Sequence, residues 1–495
     1  VWIYFTITIR ALSVLIFIFV FLILADYLRN ISPSDFPPGP WTLPIIRDTY
    51  RVDPNKMHLN FEKLAVKYGP IFSLQILGGR VVVVNGYKLM REVLVKRGED
   101  YADRPGLPIL YDVIGTKGLL MSSGISWKQQ RRFALYTLRN FGLGKTRLEP
   151  TIQQECQYLI ESFAQQQGAP SDPRTALIKA TSNFISCLLF GERFEYTDKK
   201  HQSIVEDFRE ILQLQGGRGL YNTFPWLVKH FPGPHRGVFT LTRRVLSYIE
   251  ERVKEHRVDH DPSLPRDYID CFLTEMLKVC VCVHLGGTQQ FLKDVHCTMD
   301  LFLAGTETTT TTLQWGLLFM AHYPDIQKKV QAELDIVVGS SRQPSISDRD
   351  STPYTYSVIQ ETQRMGNILP LNIVRLTNRD TPLGKYTIPK GTVVMATLNS
   401  VLHDETVWET PHSFNPQHFL DQDSKARKRE AFLPFSAGKR VCPGEQLARM
   451  ELYIFLSSLL QRFSFSAPPG EKLNLDPVFA TTHCPQPFRL CATSR

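Results

Sequence analysis

Cysteine is scarce in this chain of 495 residues. Its nine cysteines, Cys156, Cys187, Cys271, Cys280, Cys282, Cys297, Cys442, Cys484 and Cys491, are odd in number and scattered. That usage argues against a disulfide scaffold and for a reducing compartment. The formal charge of +9 comes without a long basic run interleaved with aromatics, so no nucleic-acid partner is expected; a basic face for an acidic protein or anionic lipid is. No repeat recurs at a fixed period. The densest group of thiols and imidazoles, Cys280, Cys282, His284, His296 and Cys297, has spacings that fit no paired Cys-x-x-Cys or His-x-x-x-His zinc template. An initiator methionine is also missing, so the chain is expected to be incomplete or processed at its start.

What the chain does have is apolar residues, 43% of the total, enough for a large core; length alone would suggest about three domains. Residues 1–25 are apolar except for Arg10, Ser13 and a few threonines, the length of a bilayer span, and are expected to be a retained membrane anchor. A cleaved signal peptide competes with that reading, because the uncharged run Ala11 to Ala25 would serve as its apolar region. Residues 26–40 end in Phe36-Pro37-Pro38-Gly39-Pro40, a stiff proline-rich spacer, and 41–495 form the remaining unit. Asn30-Ile31-Ser32 matches a glycosylation acceptor but lies almost in the membrane interface.

Two β-rich runs, Ile71 to Leu77 and Val81 to Val84, flank Gly78-Gly79-Arg80 and predict a hairpin. Helical patterns then dominate: Tyr87 to Lys96, Ser126 to Arg139, Thr151 to Gln166, Arg174 to Phe190, Ser203 to Gln213, Gly237 to Arg257, Gln289 to His322, Asp325 to Val337 and Thr355 to Met365. Short β signals return at Leu371 to Thr377, Tyr386 to Ile388 and Val393 to Thr397. The order predicts a mainly α fold with small segregated β-sheets.

The most informative segment is Phe435-Ser436-Ala437-Gly438-Lys439-Arg440-Val441-Cys442-Pro443-Gly444, ahead of a helical pattern from Glu445 to Leu460. Gly438 permits a tight turn and Gly444 a close approach. Pro443 suits the first turn of the helix. Cys442 falls at the positive end of the helix dipole, where a thiolate is favoured. The arrangement suits a thiolate on haem iron, with Phe435 as a wall beside the sulfur and Arg440 as a cation for a haem propionate. The alternative is a buried structural thiol, the common fate of a lone cysteine.

A second segment, Ala304-Gly305-Thr306-Glu307-Thr308, lies in the long helical pattern. Gly305 and the run Thr308 to Thr312 are poor helix formers, predicting a local opening there. Ala304 and Thr308 are four apart and share a face, placing a small residue over a porphyrin and a hydroxyl beside the free iron position. Glu307 would pass protons through water to that hydroxyl. The alternative is a helix whose threonines bond their own i−4 carbonyls.

The spacing Phe-x-x-Gly-x-Arg-x-Cys-x-Gly resembles, without mismatch, the haem-binding signature of the cytochrome P-450 monooxygenases. Ala304 to Thr308 is similar to the oxygen-activation motif of that family, and nearly the whole chain after the anchor resembles its vertebrate microsomal family-two branch, including arachidonate epoxygenases. The resemblance implies the P-450 fold with an N-terminal anchor, b-type haem ligated by Cys442, and Thr308 and Glu307 as proton-handling residues. Trp127, Arg131, Arg104, Arg375 and Arg440 become propionate-side candidates, and Ala304 and Gly444 haem-contacting ones. It also implies NADPH-cytochrome reductase and cytochrome b5 as electron donors, O2 and an apolar substrate (fatty acid, steroid or xenobiotic), and an endoplasmic reticulum membrane location with a cytosolic catalytic domain. The pair Glu361 and Arg364 reads as a structural ion pair with a third contact from Phe414-Asn415-Pro416-Gln417-His418-Phe419, His418 standing where many members have arginine. Lys128, Arg132, Arg139, Lys425, Arg427, Lys428, Arg429 and Lys439 form a candidate reductase face. Substrate-lining stretches are expected at Gly106 to Met121, near Asp300, at Leu369 to Ile373 and at Phe479 to Thr482. A reductase-independent isomerase or lyase, and a non-enzymatic haem-binding protein, are the rival readings.

Overall fold

The computed structural model describes residues 2–29, 33–43, 47–53, 56–76, 79–141, 148–215, 221–222, 224–282, 287–479 and 482–495. Its helices are α1 (Trp2–Arg29), α2 (Met57–Tyr68), α3 (Tyr87–Arg91), α4 (Pro108–Ile114), α5 (Gly124–Asn140), α6 (Glu149–Ala164), α7 (Pro173–Phe190) and α8 (Lys199–Gln215). There follow α9 (Pro225–Val228), α10 (Pro234–Val258), α11 (Tyr268–Cys282), α12 (Gly287–His322), α13 (Pro324–Val337), α14 (Pro353–Gly366), α15 (Asn399–Leu402) and α16 (Glu445–Arg462). A π-helical turn, Glu92–Lys96, continues α3.

The strands are β1 (Ile71–Ile76), β2 (Gly79–Val84), β3 (Arg375–Leu376), β4 (Thr381–Leu383), β5 (Tyr386–Ile388), β6 (Val393–Ala396), β7 (Phe463–Ser466), β8 (Pro477–Phe479), β9 (His483–Pro485) and β10 (Cys491–Ser494). Among the described residues they form one four-stranded sheet, β1-β2-β6-β3, and three two-stranded pairs. In β2 the period of two divides four buried valines between two cores. Val82 and Val84 join Trp408 and Phe419, while Val81 and Val83 join Phe61 and Phe72. The mainly α fold with separate small sheets is as the sequence implies.

Several expectations are corrected in detail. Ile76 pairs with Gly79 across the hairpin, so Gly79 and Arg80 are strand residues; residues 77–78 lie outside the described residues. Pro443 precedes the helix it was expected to start, for Gly444 is the N-cap of α16. The proline-rich spacer is docked: Ser73 donates to Pro38 O through its amide at 2.7 Å and to Pro37 O through its hydroxyl at 2.8 Å, and Phe36 is buried. Helix α4 has seven residues, and the C-terminal strands three or four each, too few to display a period in the sequence. The acceptor Asn30-Ile31-Ser32 lies outside the described residues.

Helix α1 is 28 residues long. Among the described residues no helix is long and apolar enough to cross a membrane; in α1 the unbroken stretch of described side chains runs only from Leu12 to Asp26.

Helix α12 is 36 residues long and continuous, so the local opening expected at its threonines is absent. Thr308, Thr310 and Thr312 hydroxyls donate to the carbonyls of Ala304, Thr306 and Thr308 at 2.6, 2.8 and 2.8 Å. This internal bonding offsets the weak helix propensity of threonine, and burial of Thr309 to Thr312 adds packing. Gly305 is explained by closeness to α7, since a Cβ there would lie 2.5 Å from Ile185 Cδ1.

Candidate active site

The cysteine loop is held by backbone geometry that only its glycine permits. Gly438 has φ of +74°, and a Cβ there would fall 1.6 Å from the carbonyl oxygen of Leu94 in the π-helical turn. The Cys442 amide donates to Phe435 O at 3.0 Å, closing the loop ahead of α16. Burial pushes the Cys442 thiol up to about 11, against an opposing hydrogen bond from Gly444 and the charge of Arg131. The helix N-terminus favours the thiolate without outweighing burial, so a bound cation completes the deprotonation.

Four arginines from four parts of the chain meet beside this loop. Arg104 donates to Leu120 O at 3.1 Å and Ile373 O at 3.0 Å. Arg440 donates to Ala102 O at 2.8 Å and lies 3.7 Å above the Trp127 ring, while Arg131 donates to Val441 O. Among the described residues the Arg375 side chain reaches only Ser436 Oγ, at 3.4 Å, and its buried Nε has no partner. Burial pulls Arg440 down to about 9 and Arg375 to about 10, with further lowering from neighbouring arginines. Burial, then Arg375, Arg440 and Arg131, pull Arg104 well down. A guanidinium keeps its proton in proteins, so these shifts express buried repulsion that an anion would relieve.

A contact that sequence reasoning missed, between Asn372 of the expected substrate-lining stretch and Ser436 of the cysteine loop, connects this array to the loop. Ser436 and Asn372 both have left-handed backbones, φ 63° and 57°, uncommon outside glycine. The Asn372 amide donates to Ser436 Oγ at 3.0 Å. The strain cannot be read from either residue alone, because the contact spans 64 positions.

On α12, Ala304 is exposed and Thr308 half-exposed, while Phe302, Thr306 and Glu307 beside them are buried. Ala304 and Thr308 thus form a row facing open space. Glu307 points elsewhere: Arg174 donates to both its carboxylate oxygens, at 3.0 and 2.9 Å. Burial raises its pKa and Arg174 opposes the rise. The expected step from Glu307 through water to Thr308 would require the carboxylate to leave this pair. Asp300, four residues before Ala304, accepts from the Leu120 amide at 2.8 Å and fixes the loop that Arg104 and Arg440 also hold.

The Glu361–Arg364 pair is fully buried. Arg364 donates to both Glu361 oxygens at 2.8 and 2.7 Å, and to Leu402, Pro411 and Ser413 carbonyls. The third contact is made by His418, whose Nδ1 lies 3.2 Å from Glu361. Because its Nε2 accepts from the Thr410 amide at 3.2 Å, Nδ1 carries the proton and donates.

Of the expected basic face, Lys128 and Lys439 both pair with Glu99 at 3.1 Å, which joins α5 to the cysteine loop. Arg427 and Arg429 are engaged with Glu409. Arg132, Arg139, Lys425 and Lys428 are exposed. The zinc question falls partly outside the described residues, which omit His284. Sequence reasoning missed the group His256, Asp267 and Asp270. Arg266 supplies it one cation, donating to Asp270 at 2.7 Å.

The cytochrome P450 family profile matches residues 37–492. The chain belongs to the cytochrome P450 family. It is 45% identical over 477 residues to cytochrome P450 2J2 of Homo sapiens, covering 95% of this chain and 94% of that one. It is also 45% identical to cytochrome P450 2J3 of Rattus norvegicus, covering 96% and 94%, and 42% identical to cytochrome P450 2D15 of Canis lupus familiaris over 99% of both. The protein is a P450 monooxygenase, and proteins of this family bind haem b with a cysteine thiolate as axial ligand. The residues present fit that group, since uncompensated buried guanidiniums and the unpartnered Arg375 Nε call for anions such as propionates.

Proposed function

We propose that Cys442 would ligate the haem iron, that Arg104, Arg131, Arg375 and Arg440 with Trp127 would hold the propionates, and that Phe435, Gly444 and Ala304 would border the porphyrin. The array of four guanidiniums beside the cysteine loop, three buried and Arg131 half-buried, carries this reading. Bound there, haem supplies dioxygen activation, with thiolate donation favouring O–O cleavage. The chain's own residues do the rest. The Thr308 hydroxyl donates to Ala304 O and keeps its lone pairs free to orient a water. Glu307 stores a carboxylate behind it, released for proton transfer only when Arg174 lets go.

The reaction inserts one oxygen atom from O2 into an apolar substrate, a fatty acid, steroid or xenobiotic, with electrons from NADPH through the reductase and cytochrome b5. The donor docks where Glu99 draws Lys128 and Lys439 together, beside exposed Arg132. The catalytic unit stays on the cytosolic side of the endoplasmic reticulum membrane, anchored by residues 1–25, whose described side chains from Leu12 to Leu24 are largely exposed and apolar. The test is turnover with isotopically labelled O2: one labelled atom in product, strictly requiring NADPH and reductase, is expected. Conversion without reductase would favour an isomerase or lyase, and no turnover at all a haem-binding role.

A further inference from the structure

We propose that His256, His260, Asp267 and Asp270 form a binding site for one zinc ion, outside the active site described above. His256 lies in the last turn of α10 and His260 just beyond it, while Asp267 precedes α11 and Asp270 lies in its first turn. His256, Asp267 and Asp270 each bring one ligand atom within 4.8 Å of the other two. His260 Nδ1 lies 3.4 Å from Asp270 Oδ1. Neighbouring ligand atoms in tetrahedral zinc, with bonds of about 2.0–2.2 Å, stand about 3.3–3.6 Å apart, so small side-chain shifts would close the shell.

Hydrogen bonds fix both imidazoles with a bare nitrogen turned inward. The Arg252 carbonyl can only accept, so His256 Nδ1 donates to it at 2.8 Å, and Nε2 is left facing Asp267 Oδ2 at 2.7 Å. The Thr274 hydroxyl donates to the Asp270 carbonyl at 2.9 Å, so its oxygen accepts from His260 Nε2 at 3.2 Å and Nδ1 is left facing Asp270. Ligating histidines donate their other ring N–H to partners of this kind. A proton on His256 turns its contact with Asp267 into an ion pair. His260 has no equivalent hydrogen bond: its side chain is only 8% exposed and its Nδ1 has no partner. A buried polar atom without a partner is costly and calls for an explanation.

The charge balance favours a dication. Arg266 donates to Asp270 Oδ2 through Nε at 2.7 Å and through its amide at 3.1 Å, and its Nη2 reaches Oδ1 at 3.2 Å. The same guanidinium also pairs with Asp259, so one positive charge serves two carboxylates and holds Asp270 in place as a ligand. Asp267 Oδ1 accepts from the Asp270 amide at 2.9 Å, which leaves Oδ2 for the metal. Asp294 of α12 is fully buried and its Oδ2 has no partner. Burial raises its carboxyl to about 8, and the charge of Asp267 adds to the rise. Two imidazoles and two carboxylates select zinc over calcium or magnesium, which take oxygen ligands.

Equilibrium dialysis of the haem-loaded full chain against zinc chloride, followed by metal analysis and thermal unfolding, tests the site. We expect one zinc bound per chain and a higher unfolding midpoint with zinc than without. His260→Leu removes one ligand and leaves the contact between His256 and Asp267 intact, so zinc affinity should fall more than tenfold while the metal-free midpoint stays near that of the parent. His256→Gln should lose zinc as well. His403→Gln, in a different group of histidines with His58 and His412, should bind it like the parent. No bound zinc would overturn the proposal, as would binding undiminished in His260→Leu or calcium competing on equal terms. None of these readouts requires turnover.

Discussion

Two buried arginine clusters lie in this molecule, and their electrostatics differ. Around Arg364 every demand is met within the chain: Glu361 takes two guanidinium bonds, three carbonyls take the others, and His418 and the Asn415 amide complete the carboxylate. Around Arg104, Arg131, Arg375 and Arg440 the partners are neutral carbonyls, a hydroxyl and an indole ring. The first is closed and serves folding; the second is open and waits for an anion. The surrounding charges give the physical reason for the separation that the sequence spacing of Glu361 and Arg364 already suggested.

Substitutions should sharpen the contrast. Glu361→Gln strands the Arg364 charge, and breaking a buried pair costs about 3–5 kcal/mol; denaturant unfolding should lose that much, or the chain should fail to fold. Arg104→Met removes one of four repelling charges. Its apoprotein loses three guanidinium–carbonyl bonds but also buried repulsion, so it should melt closer to the parent than Glu361→Gln does, while haem affinity falls more than tenfold. A strongly destabilised apoprotein would show that both clusters are structural. His418→Ala leaves the Thr410 amide and Glu361 each short of a partner, a loss of about 1–3 kcal/mol that unfolding midpoints can measure.

The smallest effects are set by pH. Burial lowers His58 to about 4 and His403 and His483 to about 3. Their folded values lie below the unfolded value near 6.5, so their stabilisation is complete above that pH and lost as pH falls from about 6.5 through 3. His256 runs oppositely. Burial works against its charge, but Asp267, Asp270 and the Arg252 carbonyl raise it to about 9. Its contribution is complete below about 6.5 and lost as pH rises through 9. Unfolding midpoints across pH should decline at both ends; His256→Gln should flatten the alkaline arm only.

Much of this was legible in the chain. The cysteine loop is a local pattern, and the need for glycine at 438 follows from one turn, although the atom that enforces it, Leu94 O, is distant in sequence. The long helix and the Glu361–Arg364 pair were also readable, being set by spacings of three and four. What escaped was non-local. Arg174 lies 133 positions from the Glu307 it clamps, and Leu120 lies 180 from Asp300. No periodicity encodes such partners. The opening expected in α12 is absent, and the alternative reading holds: Thr308, Thr310 and Thr312 bond their own i−4 carbonyls.

The central claim is that Cys442, thiol-like in the free chain, becomes the thiolate ligand of haem seated among the four arginines. The reduced, carbon-monoxide-bound absorption spectrum of the membrane-expressed protein tests it most directly, with Cys442→Ser alongside. The account predicts a strongly red-shifted Soret band that the substitution abolishes. A band at the shorter wavelength of imidazole-ligated haem, or one that survives in Cys442→Ser, would contradict it.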